Sequence, residues 1–197
     1  MLGFISVGGI VGICIAAAIV IAVIAIVIWF ISTYNAFVRL KNNGDEAFST
    51  MDVYLKKRYD LIPNLVATVK GYAKHESETL EKVVAARNLA MNSKTAEEKI
   101  ANDAELSKNL KTLLNVVMEQ YPDLKANTNF IDLQNTLHSL EGEIANSRKY
   151  YNGVIKAYNT KREVFPSNIV AKCFKFEKRP LYEVDSAEER KNVKVEF

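Results

Sequence analysis

The chain has 197 residues, with 26 basic and 23 acidic side chains and a formal net charge of +3. So balanced a charge excludes the one-sided basic surface that phosphate recognition demands, and no nucleic-acid partner is expected. The two cysteines, Cys14 and Cys173, lie near opposite ends and provide no disulfide framework that would argue for an oxidising compartment.

No charged side chain precedes Arg39, and Ile10 to Ile31 is apolar apart from small residues. A run of this length as a helix crosses a hydrocarbon core of about 30 Å. A cleaved secretory signal needs a basic leading region and an apolar core of roughly 7 to 15 residues, neither of which is present. Cys14 follows Ile13 rather than the small residue expected for lipoprotein attachment, and Gly3 is not in the second position that myristoylation requires. Residues 1–33 are therefore expected to be a retained single-pass anchor. Within it Gly8, Gly12 and Ala16 recur every four residues, the small-residue spacing that lets membrane helices approach closely, and they are the candidates for self-association into a homo-oligomer. Arg39 and Lys41 follow the anchor while its N-terminal flank carries no cation, which favours an outside N-terminus and a cytoplasmic domain at the inner membrane.

Beyond the anchor, Phe37, Phe48, Met51, Leu55 and Ile62 form one apolar stripe with Gly44 at the same spacing, so the first soluble helix reads as the anchor continued. Asp60 and Pro63 then read as punctuation, an N-cap and a first-turn proline, and predict a joint to a second helix over Leu61–Met91. That helix carries Val66, Val69, Ala73, Leu80, Val83 and Arg87 at helical spacing, weakened modestly by Gly71. Thr95 with Glu98 three residues later is the capping-box signature of a third helix, which must stop before Pro122. Thr128 or Asn129 is expected to cap a fourth, which runs to about Glu163 with Phe130, Leu133, Leu137, Ile144, Tyr151, Ile155 and Tyr158 on its stripe. Helices this long bury their stripes against one another, so residues 34–165 predict an all-α fold, an elongated antiparallel bundle of about four long helices. Helical period is lost at Pro166. Residues 166–184 are expected as an extended tail packing on the bundle, and 185–197 as a charged, flexible C-terminus.

The stretch LKKRYDLIPNLVATVKGYAKHE holds the most chemistry-like residues. His75-Glu76 begins a zinc-protease pattern, but the second histidine position is Thr79, and His138 has no carboxylate or cysteine at ligand spacing, so no metal or other cofactor is expected. Cys173 has no histidine partner pattern and no glycine-rich loop cradles phosphate, so no catalytic residue is assigned; an enzyme would need a cleft built from Arg58, Asp60, His75 or Glu76. Lys56, Lys57 and Arg58 would stand roughly 40 Å beyond the anchor on a continuous helix, several screening lengths from lipid headgroups. They read as a solvated face, with Asp52 four residues before Lys56 in the favourable order, and as the candidate docking site for an acidic partner protein.

Several blocks in order, YNAFVRLKNN, DVYLKKRYDLIPNLVATVKGYAKHE, YPDLKANTNFIDLQNTL, RKYYNGVIKAYNTKR and VFPSNIVAKCFKF, resemble the LemA family of bacterial membrane proteins from about Tyr34 to Phe176. Gly142 departs from the family's usual Glu-Asn and is expected to loosen the fourth helix, and Phe48 stands where a Trp is common. The resemblance implies one membrane helix followed by a helical bundle, supplies no reaction, and brings two associations: membrane organisation, and HtpX-type membrane metalloproteases as possible partners. From the residues and the resemblance together, the chain is expected to be a non-enzymatic membrane-anchored scaffold or adaptor, the alternative being an accessory subunit of such a protease in membrane protein quality control.

Overall fold

The computed structural model describes residues 7–73 and 76–182, so His75 and the charged stretch after Asp185 lie outside the described residues. Among the described residues six helices follow in order: α1 (Val7–Lys70), α2 (Ser77–Met91), α3 (Ala96–Gln120), α4 (Pro122–Lys125), α5 (Thr128–Glu163) and α6 (Ser167–Cys173). Among the described residues there is no strand, in agreement with the all-α expectation. The chain divides into two compact units, Met1–Asn43 with Ala157–Lys178 and Gly44–Lys156 with Arg179–Phe197.

In the first unit α1 begins as an apolar helix long enough to cross a membrane, and among the described residues nothing else covers that run. Cover starts only at its end. Phe37, Tyr158, Val170 and Ala171 form a small core, with Phe30, Tyr34, Leu40 and Phe176 packed against it. Phe37 stacks on Phe176 at 4.8 Å between ring centroids and meets Tyr158 edge-on at 6.1 Å. Helix α6 falls in the stretch expected to be extended. Its seven residues are too few to display a period, and tertiary contacts define it: the Ser167 hydroxyl donates to the carbonyls of Lys161 and Val164, turning the chain off α5, while Val170 and Ala171 bury the inner side. It ends in a Schellman arrangement, with the Phe176 N–H bonded to the Ala171 carbonyl and Lys175 in the left-handed region at φ 54°.

The second unit is a bundle built from the remainder of α1 with α2, α3 and α5. Its core takes Met51, Leu55, Ile62 and Val69 from α1, Leu80 and Val83 from α2, Leu106 and Leu113 from α3, and Phe130, Ile144 and Tyr151 from α5. Phe48 against Tyr151 and Arg58 against Glu141 set α1 and α5 antiparallel. Gly44 lies where backbone approach is closest: a Cβ there would come within 2.9 Å of both Arg179 Nη1 and Ile155 Cδ1. Helix α5 runs through Gly142 unbroken, so the expected loosening leaves no interruption. The Thr95 hydroxyl caps α3 by accepting from the Glu98 N–H at 3.1 Å, while the Glu98 carboxylate reaches back to the Lys94 N–H at 2.9 Å.

The joint expected at Asp60 and Pro63 is not one. Helix α1 passes straight through Pro63 and ends at Lys70, where Gly71 opens a turn closed by the Ala73 N–H on the Val69 carbonyl, so the predicted Leu61–Met91 helix is two helices. An interior proline removes one hydrogen bond and orphans the carbonyl four residues back, here that of Tyr59. Arg87, the one charged residue on the stripe of α2, answers it: its Nε donates to the Tyr59 carbonyl at 2.7 Å. Truncating Arg87 to Ala is expected to cost about 1–3 kcal/mol, as an orphaned buried carbonyl does. In a Pro63→Ala background the helix supplies its own N–H, and the same truncation should cost clearly less. Equal costs in the two backgrounds, measured by denaturant titration, would disprove the compensation.

Candidate functional site

The second unit encloses a charged network that periodicity alone does not announce. Asp103 of α3 and Arg58 of α1 are both fully buried and paired directly. Asp103 Oδ1 also accepts from the Tyr59 hydroxyl at 2.9 Å, while Oδ2 accepts from Arg148 Nη2 at 3.1 Å and from the Tyr182 hydroxyl. The Arg58 guanidinium bonds in addition to Glu141 and, at 3.0 Å, to the Ser107 hydroxyl, which itself donates to the Asp103 carbonyl. The Arg148 guanidinium lies over the Tyr182 ring at 4.3 Å. Two guanidiniums against two carboxylates leave the cluster neutral, the condition under which burial of charge is tolerable. Only the Nε atoms of Arg58 and Arg148 find no acceptor within it.

The electrostatics favour the protonated forms of Arg58, Tyr59 and Tyr182. Burial opposes the charge on Arg58, but Asp103 and Glu141 more than offset it and raise the pKa of the guanidinium further. Burial, reinforced by the Asp103 charge, raises the pKa of the Tyr59 and Tyr182 hydroxyls well above the ordinary phenol value. All four lone-pair directions of Asp103 are taken by donors from α1, α5 and the C-terminal segment, so the network's evident action is to fix those elements against α3.

The C-terminal segment is strung along α5 by side chains of the RKYYNGVIKAYNTKR block. In the first unit Arg162 Nε and the Tyr158 hydroxyl donate to the carbonyls of Phe176 and Glu177, both at 2.9 Å. In the second, the Tyr151 hydroxyl donates to the Pro180 carbonyl at 2.9 Å, and Asn152 exchanges two bonds with the backbone of Tyr182.

The predicted docking triplet divides. Lys56 and Lys57 are exposed, with the Lys57 ammonium 5.5 Å from the Tyr54 ring centre, but Arg58 is fully buried and cannot belong to a docking face. The expected Asp52–Lys56 pair is replaced by one between Asp52 and Lys99 across helices at 2.5 Å. The residues considered for an enzyme cleft do not converge among the described positions: Arg58 is committed to the network, Asp60 is exposed, and Glu76 accepts from the Tyr121 hydroxyl at 3.3 Å. Among the described residues no group of His, Cys, Asp or Glu has metal-site geometry. Gly8, Gly12 and Ala16 lie on the uncovered part of α1, and a Cβ at Gly12 would meet nothing within 4 Å. Cys14 and Cys173 are both free.

A signal for the hub was nevertheless available. Arg58 occupies the vacant turn of the stripe between Leu55 and Ile62, and Asp103 stands three residues after the apolar Ile100. A charged residue is almost never fully buried unless paired, so a charge at a stripe position points either to an exposed edge or to a buried partner.

Comparison with known sequences agrees with this reading of the blocks. A sequence profile described as the LemA family matches residues 47–197. A similar protein, Protein LemA of Metamycoplasma hominis, is 27% identical over 158 residues, covering 79% of this chain and 68% of that protein.

Proposed function

The chain belongs to the LemA family, and from that premise we propose that it is a single-pass scaffold or adaptor of the bacterial inner membrane, self-associating through its anchor, with its bundle on the cytoplasmic side. The observation that carries this reading is the uncovered apolar run at the start of α1, continuous with a bundle whose buried charges are spent on holding helices together. A helical bundle on a membrane tether suits the holding of partners. Lys56 and Lys57 are the docking candidates that remain once Arg58 is removed, and they suit an acidic protein surface. Catalysis has no part in this reading.

Self-association is assigned to the face of Gly8, Gly12 and Ala16, where small side chains let two helix backbones approach. Gly12→Leu places a bulky side chain on that face and is expected to reduce cross-linked dimer in membranes by about tenfold, the size of a lost packing contribution of about 1–2 kcal/mol. An Ile19→Leu control should cross-link like the parent chain. Undiminished cross-linking of the Gly12→Leu variant would remove this face, and a strictly monomeric parent chain would remove self-association altogether.

A further inference from the structure

We propose that the corner joining α5 to α6 is a second membrane-contacting element, inserting its apolar side chains between lipid headgroups and acyl chains beside the anchor. The proposal rests on the reading of α1 as a membrane span, and all its residues belong to the first unit.

Val164, Phe165, Ile169 and Phe174 are exposed, Phe165 by 79% and the others by nearly half. The short helix α6 buries Val170 and Ala171 against Phe37 and Tyr158, leaves Ile169 exposed, and is followed by the half-exposed Phe174. A patch of this kind marks an interaction surface. Its level in the unit identifies the partner. Phe174 packs against Phe30 at 5.8 Å and Tyr34 at 4.5 Å between ring centroids. Phe30 lies within the apolar run of α1, next to Trp29, so a side chain seated on it stands where the acyl chains end. Trp29 and Tyr34 flank this level as interfacial aromatics do.

The charges agree. Between Lys161 and Lys178 the sequence carries five cations and two carboxylates, and Lys172 and Lys175, which bracket Phe174, are exposed. Apolar side chains edged with lysine are the chemistry of an anionic bilayer surface. The same cations would repel one another across a symmetric contact between two copies. Tethering by the anchor makes the lipid contact intramolecular, so a small wedge suffices.

Depth-dependent quenching tests the proposal on the full chain in phosphatidylcholine–phosphatidylglycerol vesicles. The single tryptophan is removed by Trp29→Phe, and reporters are introduced separately as Phe165→Trp and Ile169→Trp, both exposed positions that tolerate the change. Both reporters are expected to resist aqueous acrylamide and to be quenched roughly twofold more by lipids brominated near the headgroup end of the acyl chain than by deep-brominated lipids, as insertion to about 5–10 Å requires. Free access by acrylamide with no lipid quenching overturns the proposal. So does protection from acrylamide without lipid quenching, which would mean that a second copy or another protein covers the corner. A Val20→Trp reporter separates the premises: quenched by deep bromines while the corner reporters are not, it leaves the anchor standing and removes only the wedge; unquenched, it removes the anchor and the wedge with it.

Discussion

Asp103→Ala is expected to destabilise the bundle by about 3–5 kcal/mol, the cost of removing one member of a buried charge network. The carboxylate receives Arg58, Arg148, Tyr59 and Tyr182, so its loss strands the Arg148 guanidinium and two phenols and takes from Arg58 its one fully buried counter-charge. Glu141 retains Arg58 but is itself partly exposed, and no other carboxylate of the network remains for Arg148. Asp103→Asn should fall only modestly short of the alanine change, because its amide nitrogen meets hydrogen-bond donors where the carboxylate oxygen met them. Arg58→Lys should also fail to rescue, since one compact ammonium does not span Asp103, Glu141 and Ser107 as a planar fork does. The measurement is denaturant-induced loss of helical circular dichroism of the full chain in detergent, with Leu89→Ala, at an exposed position, as the control. An Asp103→Ala variant within about 0.5 kcal/mol of the parent, the range of ordinary surface changes, would show that the network is not the joint described here.

Raising the pH should undo the same joint from another direction. Tyr59 and Tyr182 have raised pKa values in the folded protein, whereas an unfolded tyrosine ionises near pH 10. Their contribution to stability is therefore fully present below about pH 10. Above it the unfolded chain releases protons that the native state retains, so stability falls by about 1.4 kcal/mol per pH unit for each tyrosine, or about 2.7 for the two together. Tyr151, whose pKa burial also raises, adds to the same trend. Tyr182→Phe deletes one of these ionisations, so between pH 10 and 11 the variant should lose less stability than the parent by one tyrosine's share. Identical pH slopes for the two proteins would refute this account of the network.

Much of the architecture was written in local pattern. The apolar run at the start of α1 is a matter of length and composition, the extents of α3 and α5 follow from caps and stripes, and Thr95 and Pro122 mark boundaries by chemistry confined to one turn. Helix α5, however, is capped not by the expected Thr128 or Asn129 but by Asn127, whose Oδ1 accepts from the Phe130 N–H at 3.1 Å. The other misreadings share a cause, which is that a distant side chain altered the local balance. Pro63 looks like a helix start until Arg87 of another helix supplies the bond that proline removes. Arg58 looks solvated beside Lys56 and Lys57, but successive helix positions are turned by 100°, and the third of those cations points along the apolar stripe toward Asp103. Helix α6 is stabilised by Ser167 and by packing against Phe37 and Tyr158 rather than by a repeat in its own seven residues. The hydroxyl and amide donors of α5 that hold the C-terminal segment were legible as a block but not as a role, because their acceptors are backbone carbonyls that carry no sequence signal.

The proposed role is tested most directly by photo-cross-linkers placed at Lys56 and at Lys57 in intact membranes, followed by mass spectrometry of the adducts. A scaffold that docks through this face should give discrete adducts containing a second copy of the chain or a protein with an acidic surface, and the adducts should disappear when the neighbouring lysine is reversed to glutamate. A chain that yields only uncross-linked monomer from both positions, while remaining folded and in the membrane, would contradict the scaffold reading.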